Sequence, residues 1–277
     1  MKNKTLMNLL GLFMAVVLSG LSVDNQALAD DNSSVKKEAA PASVSSGIED
    51  ALTMFRPTVP NGSAILICPG GGYEHLAMEH EGTEVAEWLS SNGFTCAVLR
   101  YRFPKGNCTV PSDDSRKAIR YLRGKASELG ICPDSIGIMG FSAGGHLAAT
   151  TATLSDSLSR PDFQILMYPV ISMDDSITHA GSRRNLLGDN PSERSVKMYS
   201  LEEQADATAP PAIIILSADD DVVDPRNSLR YFEALRRNHV PVSMFIYPSG
   251  GHGWGMRDSF IYKGQWTSEL QDWFNRL

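Results

Sequence analysis

Along residues 63–248, short continuous apolar runs alternate with stretches whose apolar positions recur at helical spacing. SAILICP (63–69), FTCAVLRYR (94–102), SIGIMG (135–140), DFQILMYP (162–169), AIIILSA (212–218) and PVSMFIYP (241–248) read as strands. Between them, EGTEVAEWLSSNG (81–93) is amphipathic and stops at Gly93. The stretch from about Pro111 to Glu128 opens on a Ser/Asp cap and carries Ala118, Ile119 and Leu122 on one helical face. GGHLAATTATL (144–154), RNSLRYFEALRRN (226–238) and the tail from about Phe260 to Leu277 read as further helices. This alternation predicts an α/β fold with a doubly wound, mostly parallel sheet and helices on both faces. Only residues 170–210 break the rhythm. They are polar and turn-rich, predict two short helices, and form a lid-like insertion of the kind that is functional or disordered in compact domains.

Composition narrows the reading. With 277 residues, 42% of them hydrophobic, the chain suits one large domain, placed at 48–277, rather than two small ones. A formal charge of −7 argues against nucleic acid or an anionic membrane as partner. Residues 1–29 stand apart from the fold. Lys2 and Lys4 precede a mostly apolar stretch from Leu6 to Leu21, and Ala27-Leu28-Ala29 supplies a small-x-small cleavage pattern. They predict a signal peptide cleaved near Ala29 and export to the periplasm or beyond. Asn8, Ser19 and Gly20 interrupt the apolar stretch, which is short for a bilayer span, so no membrane anchor is expected. Residues 30–47 read as a flexible leader. Export makes the four cysteines worth testing as disulfides. Cys68 ends one strand where Cys96 begins the next, and Cys108 and Cys132 flank a helix about 25 Å long. Neither pair suits a bridge, so four reduced thiols are expected, and none has metal-ligand spacing.

Chemistry enters at GIMGFSAGGHLAA (137–149), where a strand becomes a small-residue helix through one serine. Gly140 and Gly144 lie two positions either side of Ser142, the G-x-S-x-G pattern of a tight nucleophile turn. Two later strand ends carry Asp219-Asp220-Asp221 and then Ser249-Gly250-Gly251-His252. In a doubly wound sheet those ends share one side of the molecule, where ligands bind. A serine hydroxyl needs an imidazole to take its proton and a carboxylate to fix that imidazole's tautomer. Gly70-Gly71-Gly72 follows another strand end, so Gly71 and Gly72, with Ala143 after the serine, are candidate N–H donors to an oxyanion. A phosphate-binding turn is the rival for that loop, but no G-x-G-x-x-G or lysine motif accompanies it.

GFSAGG, PGGGY, DDDVVDPRNS and GGHGWG together resemble the α/β-hydrolase esterases of the acetyl-esterase/lipase group, in particular exported acetyl xylan esterase-like proteins of Bacteroidetes-type bacteria. The likeness runs over about residues 60–277. It implies an α/β-hydrolase fold and a cofactor-free, metal-free serine esterase that removes small acyl groups, mainly acetyl, from plant-polysaccharide sugars. Ser142, His252 and an aspartate would be its catalytic residues. The family writes the acid loop as Asp-x-x-Val-Pro; Val223 fills the valine place and selects Asp220, while Pro225 falls one place late and keeps Asp221 open. The glycine triplet follows Pro69 where many related lipases carry histidine. Tyr73 and Trp254 are candidates to bind an acylated carbohydrate, and Tyr101 reads as packing. Glu79, His80 and Glu81 open the helix after the triplet, where acids suit the helix dipole. His179, Arg183 and Arg184 in the insertion are further polar candidates. A serine peptidase of the same fold and a non-catalytic binding protein are the alternatives, and oligomeric state is not legible.

Overall fold

The apolar runs pair side by side into one sheet of seven strands in the computed structural model, which describes residues 47–277. The expected signal peptide and nearly all of the leader lie outside the described residues. The strands are β1 (Leu52–Phe55), β2 (Ala64–Cys68), β3 (Thr95–Leu99), β4 (Ile136–Phe141), β5 (Phe163–Met167), β6 (Ala212–Ser217) and β7 (Val242–Tyr247). Their spatial order is β1-β3-β2-β4-β5-β6-β7, parallel throughout except for β1, which pairs antiparallel with β3. Every residue of β2 to β6 is buried, which is why these strands read as unbroken apolar runs. The edge strand β1 was not anticipated.

The helices are α1 (Glu84–Ser91), α2 (Thr109–Gly124), α3 (Ala126–Leu129), α4 (Ser142–Leu154), α5 (Ala180–Leu187), α6 (Glu193–Tyr199), α7 (Arg226–Arg237) and α8 (Lys263–Phe274). Ring contacts between Trp88 and Trp266 put α1 and α8 on one face. On the other, Ser115 bonds Thr151 and Thr153 bonds Tyr231, joining α2, α4 and α7. The single helix expected from Pro111 to Glu128 is instead two. It breaks at Lys125 after Gly124, a weak helix former in the interior of the run, and closes on left-handed Gly130. The insertion does hold two short helices, α5 and α6.

Cys68 and Cys96 are buried in neighbouring strands, where burial pushes both thiols up. In the β2–β3 register Cys96 faces Ile65, not Cys68, and all four cysteines are free. Among the described residues no helix is long and apolar enough to cross a membrane. Parallel strands leave all their carboxyl ends on one side, and the loops there build the site.

Candidate active site

Strand β4 runs straight into helix α4, and Ser142 takes the turn with φ of +52°. A side chain at that φ is strained, and the neighbourhood explains what holds it. A Cβ at Gly140 would collide with the carbonyl oxygen of Gly144, and one at Gly144 with that of Cys68. Both positions must be glycine for the strand, the turn and β2 to approach so closely. The turn is also tied forward, since the Val170 N–H donates to the Ser142 carbonyl at 3.0 Å. Ser142 is left 7% exposed at the amino end of a helix whose dipole favours negative charge.

Ser142 Oγ lies 2.8 Å from His252 Nε2, and His252 Nδ1 lies 2.7 Å from Asp220 Oδ2. The other Asp220 oxygen accepts the N–H groups of Val222 at 3.0 Å and Val223 at 2.9 Å, which fixes the carboxylate's plane. Of the two aspartates left open, Asp220 is therefore the one that meets the histidine, while Asp221 is exposed. Asp219 has a separate task. It accepts N–H bonds from Gly251 at 2.8 Å and Gly250 at 3.2 Å, anchoring the loop that carries His252. Those amides hold its carboxyl below the usual range. Such a chain can pass a proton from hydroxyl to imidazole while the carboxylate stabilises the imidazolium.

Facing Ser142, Gly71 and Gly72 have φ of +124° and +65°, open to glycine at little cost. Among the described residues their N–H groups, like that of Ala143, enter no backbone–backbone hydrogen bond. The loop is braced on several sides. Gly71 oxygen accepts from Glu74 and His75, and Gly72 oxygen accepts from Asn185 Nδ2 at 2.8 Å. The Tyr101 hydroxyl donates to the Pro69 carbonyl at 2.7 Å.

The α/β-hydrolase fold family matches residues 65–256, most of the described chain and all of these loops. The chain belongs to the α/β-hydrolase fold family. It is 39% identical over 230 residues to an acetylxylan esterase of Xylanibacter ruminicola, covering 82% of this chain and 48% of that protein. It is 34% identical over 215 residues to endo-1,4-beta-xylanase B of Butyrivibrio fibrisolvens, covering 72% of this chain and 34% of that one. The chain thus spans half or less of the length of these curated relatives. Among solved structures it resembles an acetyl ester-xyloside bifunctional hydrolase of Caldicellulosiruptor lactoaceticus, with a TM-score of 0.75 and 35% identity over 81% of this chain and 87% of that one.

In this α/β-hydrolase the cleft over Ser142 has a volume of about 430 Å³. His75, His179, Asn185, Val222, His252 and Arg257 are among the side chains on its walls. Neither aromatic expected at the substrate surface is there. Tyr73 is 2% exposed, and its positive φ of +62° turns the ring inward, where the hydroxyl bonds His146 Nδ1 at 2.9 Å. Trp254 is 3% exposed, stacks on Phe260, and donates its indole N–H to Ser217 Oγ. Both support loops from beneath. Of the insertion's polar candidates only His179 reaches the cleft. Arg183 bonds the Met173 carbonyl and Asp175, and Arg184 is exposed elsewhere. The Ser182 N–H donates to His179 Nδ1 at 3.2 Å, so the neutral ring carries its proton on Nε2. Burial, then the neighbouring His252, push its pKa down. Asn185 escaped the sequence reading, because its contact with Gly72 spans 113 residues of chain.

Proposed function

We propose that the chain is a serine esterase that removes small acyl groups, acetyl foremost, from carbohydrate such as acetylated xylan. The observation that carries this is the Asp220–His252–Ser142 chain, closed at 2.7 and 2.8 Å, opening on a small cleft beside unengaged glycine amides. Ser142 Oγ attacks the ester carbonyl carbon as His252 Nε2 takes its proton. The carbonyl oxygen gains the negative charge and is met by the N–H groups of Gly71, Gly72 and Ala143. Collapse expels the sugar hydroxyl, protonated by His252, and leaves an acyl-Ser142. Water, deprotonated by the same imidazole, then releases acetate.

The printed names of the relatives, an acetylxylan esterase, a xylanase and an acetyl ester-xyloside hydrolase, support a xylan-derived substrate. A cleft of about 430 Å³ with polar His179 and Asn185 on its wall suits a small acyl group on a hydroxyl-rich alcohol. Export rests on the basic start, apolar stretch and Ala27-Leu28-Ala29 of residues 1–29.

Acetate release from acetylated xylan, alongside p-nitrophenyl esters from acetate to octanoate and an aminoacyl-anilide, tests this reading. Release from xylan is expected, with rates falling steeply as the acyl chain lengthens and no anilide cleavage. Ser142→Ala should lose at least about 10³-fold in turnover with its fold intact. A preference for octanoate, or for the anilide, would overturn the carbohydrate-esterase assignment.

A further inference from the structure

Glu81 is a charged side chain only 2% exposed, and neither of its oxygens reaches Ser142 or His252 through a hydrogen bond. It sits in a wide helical turn, Glu79–Thr83, in which the Thr83 N–H reaches back five residues to the Met78 carbonyl. One oxygen, Oε2, accepts the Gly70 N–H at 2.8 Å. The other, Oε1, accepts the Tyr168 hydroxyl at 2.8 Å. That hydroxyl in turn accepts the Gly255 N–H at 2.9 Å, and the Tyr168 ring meets His252 edge to face at 4.8 Å. One carboxylate thus joins the peptide just before the oxyanion donors to the tyrosine against the histidine and to the loop that follows it.

We propose that Glu81 is a positioning residue that holds the oxyanion loop and the histidine loop in register across Ser142; the inference rests on the serine-esterase reading. Donor and acceptor polarity makes the assignment specific to a carboxylate. Gly70 N–H can only donate. Tyr168 places its one proton on Glu81 as well, while its oxygen accepts from Gly255. Burial and the adjacent Glu81 charge push the Tyr168 hydroxyl up, so it keeps the proton it donates. The group between them must accept on both sides. An amide accepts on one side only and leaves either a buried N–H against an N–H or an orphaned hydroxyl proton, a costly defect in a closed network. Tyr168 itself is held at φ of +35°, a strain such a network can retain. The same turn adds a second tie, since the Met256 N–H donates to the His80 carbonyl at 2.8 Å.

The test is kinetic, on the full chain with p-nitrophenyl acetate, with active sites counted by the burst from a p-nitrophenyl phosphonate. Counting sites removes the effect of a misfolded fraction. Glu81→Gln is expected to lose about 100-fold in kcat per titrated site with KM within about threefold, because oxyanion alignment acts on the transition state. The Ki of an alkylboronic acid, which becomes tetrahedral on Ser142, should rise in step. Tyr168→Phe removes one oxygen and should lose about tenfold in the same manner, with the double variant no worse than Glu81→Gln alone. If Glu81→Gln does not fold, Tyr168→Phe carries the same split between kcat and KM. Wild-type kcat per site in these variants, losses confined to KM or melting temperature, or losses that multiply independently would overturn the proposal. An inactive wild type would overturn the esterase reading and the inference together, whereas an active wild type indifferent to Glu81 overturns the inference alone.

Discussion

The two ends of the sheet each carry a depression, and the larger one lies at the end away from Ser142. The groove beside the strands' amino ends has a volume of about 750 Å³, against about 430 Å³ for the cleft over Ser142. Around the groove, polar groups pair with one another. Gln271 bonds Asn92, Ser63 bonds Ser135, and Arg123 bonds Asp162. No residue lining it has a positive φ. The cleft is the reverse. Gly71, Gly72, Gly253 and Ser142 on its wall all have positive φ, and the Gly71 and Gly72 N–H groups enter no backbone–backbone hydrogen bond among the described residues. Volume therefore says little about where a reaction occurs. Strained backbone and polar groups left for a ligand say more.

The largest effect expected at the cleft end, after loss of Ser142 itself, separates two adjacent carboxylates. Asparagine at 220 keeps the shape but offers an N–H where His252 Nδ1 needs an acceptor, forcing the wrong tautomer. Asp220→Asn should lose on the order of 10³–10⁴-fold in kcat. Asp221→Asn should lose less than about tenfold, or 1.4 kcal/mol in the barrier. Thermal melts belong beside the assays, because Asp220 also caps the turn through Val222 and Val223. A dead Asp221→Asn beside an active Asp220→Asn would move the site one residue along the loop.

That ambiguity between neighbours marks where the sequence stops being legible. The parallel strands could be read because burial on both faces leaves unbroken apolar runs, as in AIIIL. The serine turn could be read because Gly140 and Gly144 answer a steric demand within four residues. Strand β1 could not, being three half-buried residues and one exposed threonine at an edge with no full apolar run. Strand-end position does not say which way a ring turns, so Tyr73 and Trp254 read as substrate-facing while the fold buries both. At Tyr73 the backbone is left-handed and the hydroxyl is taken up by His146. Glu81 read as a helix-start acid, since its partner Tyr168 lies 87 residues away and follows another strand. Local steric rules survive in sequence, while pairings across loops need the fold.

Acid should also act on the fold, through a second histidine at the cleft end. His146 lies one turn after Ser142, wholly buried, with Nε2–H donating to the Tyr199 carbonyl and Nδ1 accepting the Tyr73 hydroxyl. Burial pushes its pKa down from 6.5 to about 4. The folded state therefore keeps it neutral while the unfolded chain binds a proton. Stability is full above pH 6.5, falls as pH drops toward 4, and loses no more from this group below that. The whole loss is on the order of 3 kcal/mol. Glutamine can replace both hydrogen bonds without titrating. His146→Gln should lose less stability than wild type between pH 7 and 4.5, by about 2 kcal/mol, in urea melts. Equal losses in the two proteins would remove His146 from the acid response.

The smallest effect should be found in the larger groove, and it is the one that could break the contrast. Asp272 lies on α8, exposed, and enters none of the hydrogen bonds that close the groove's rim. An exposed side chain of this kind is worth within about 0.5 kcal/mol to the fold. The groove lies beyond the opposite ends of the strands from Ser142, so no small ester in the cleft can touch it. Asp272→Ala should change kcat/KM by less than about twofold on p-nitrophenyl acetate, since 0.4 kcal/mol is all that ratio represents. The sharper measurement is acetate release from polymeric acetylated xylan, because a long chain is the one substrate able to reach round the molecule. An unchanged ratio of the two rates keeps chemistry and recognition together at the carboxyl end. A selective loss on the polymer, at constant p-nitrophenyl acetate turnover, would make the groove a second contact for the chain and end the contrast drawn between the two depressions.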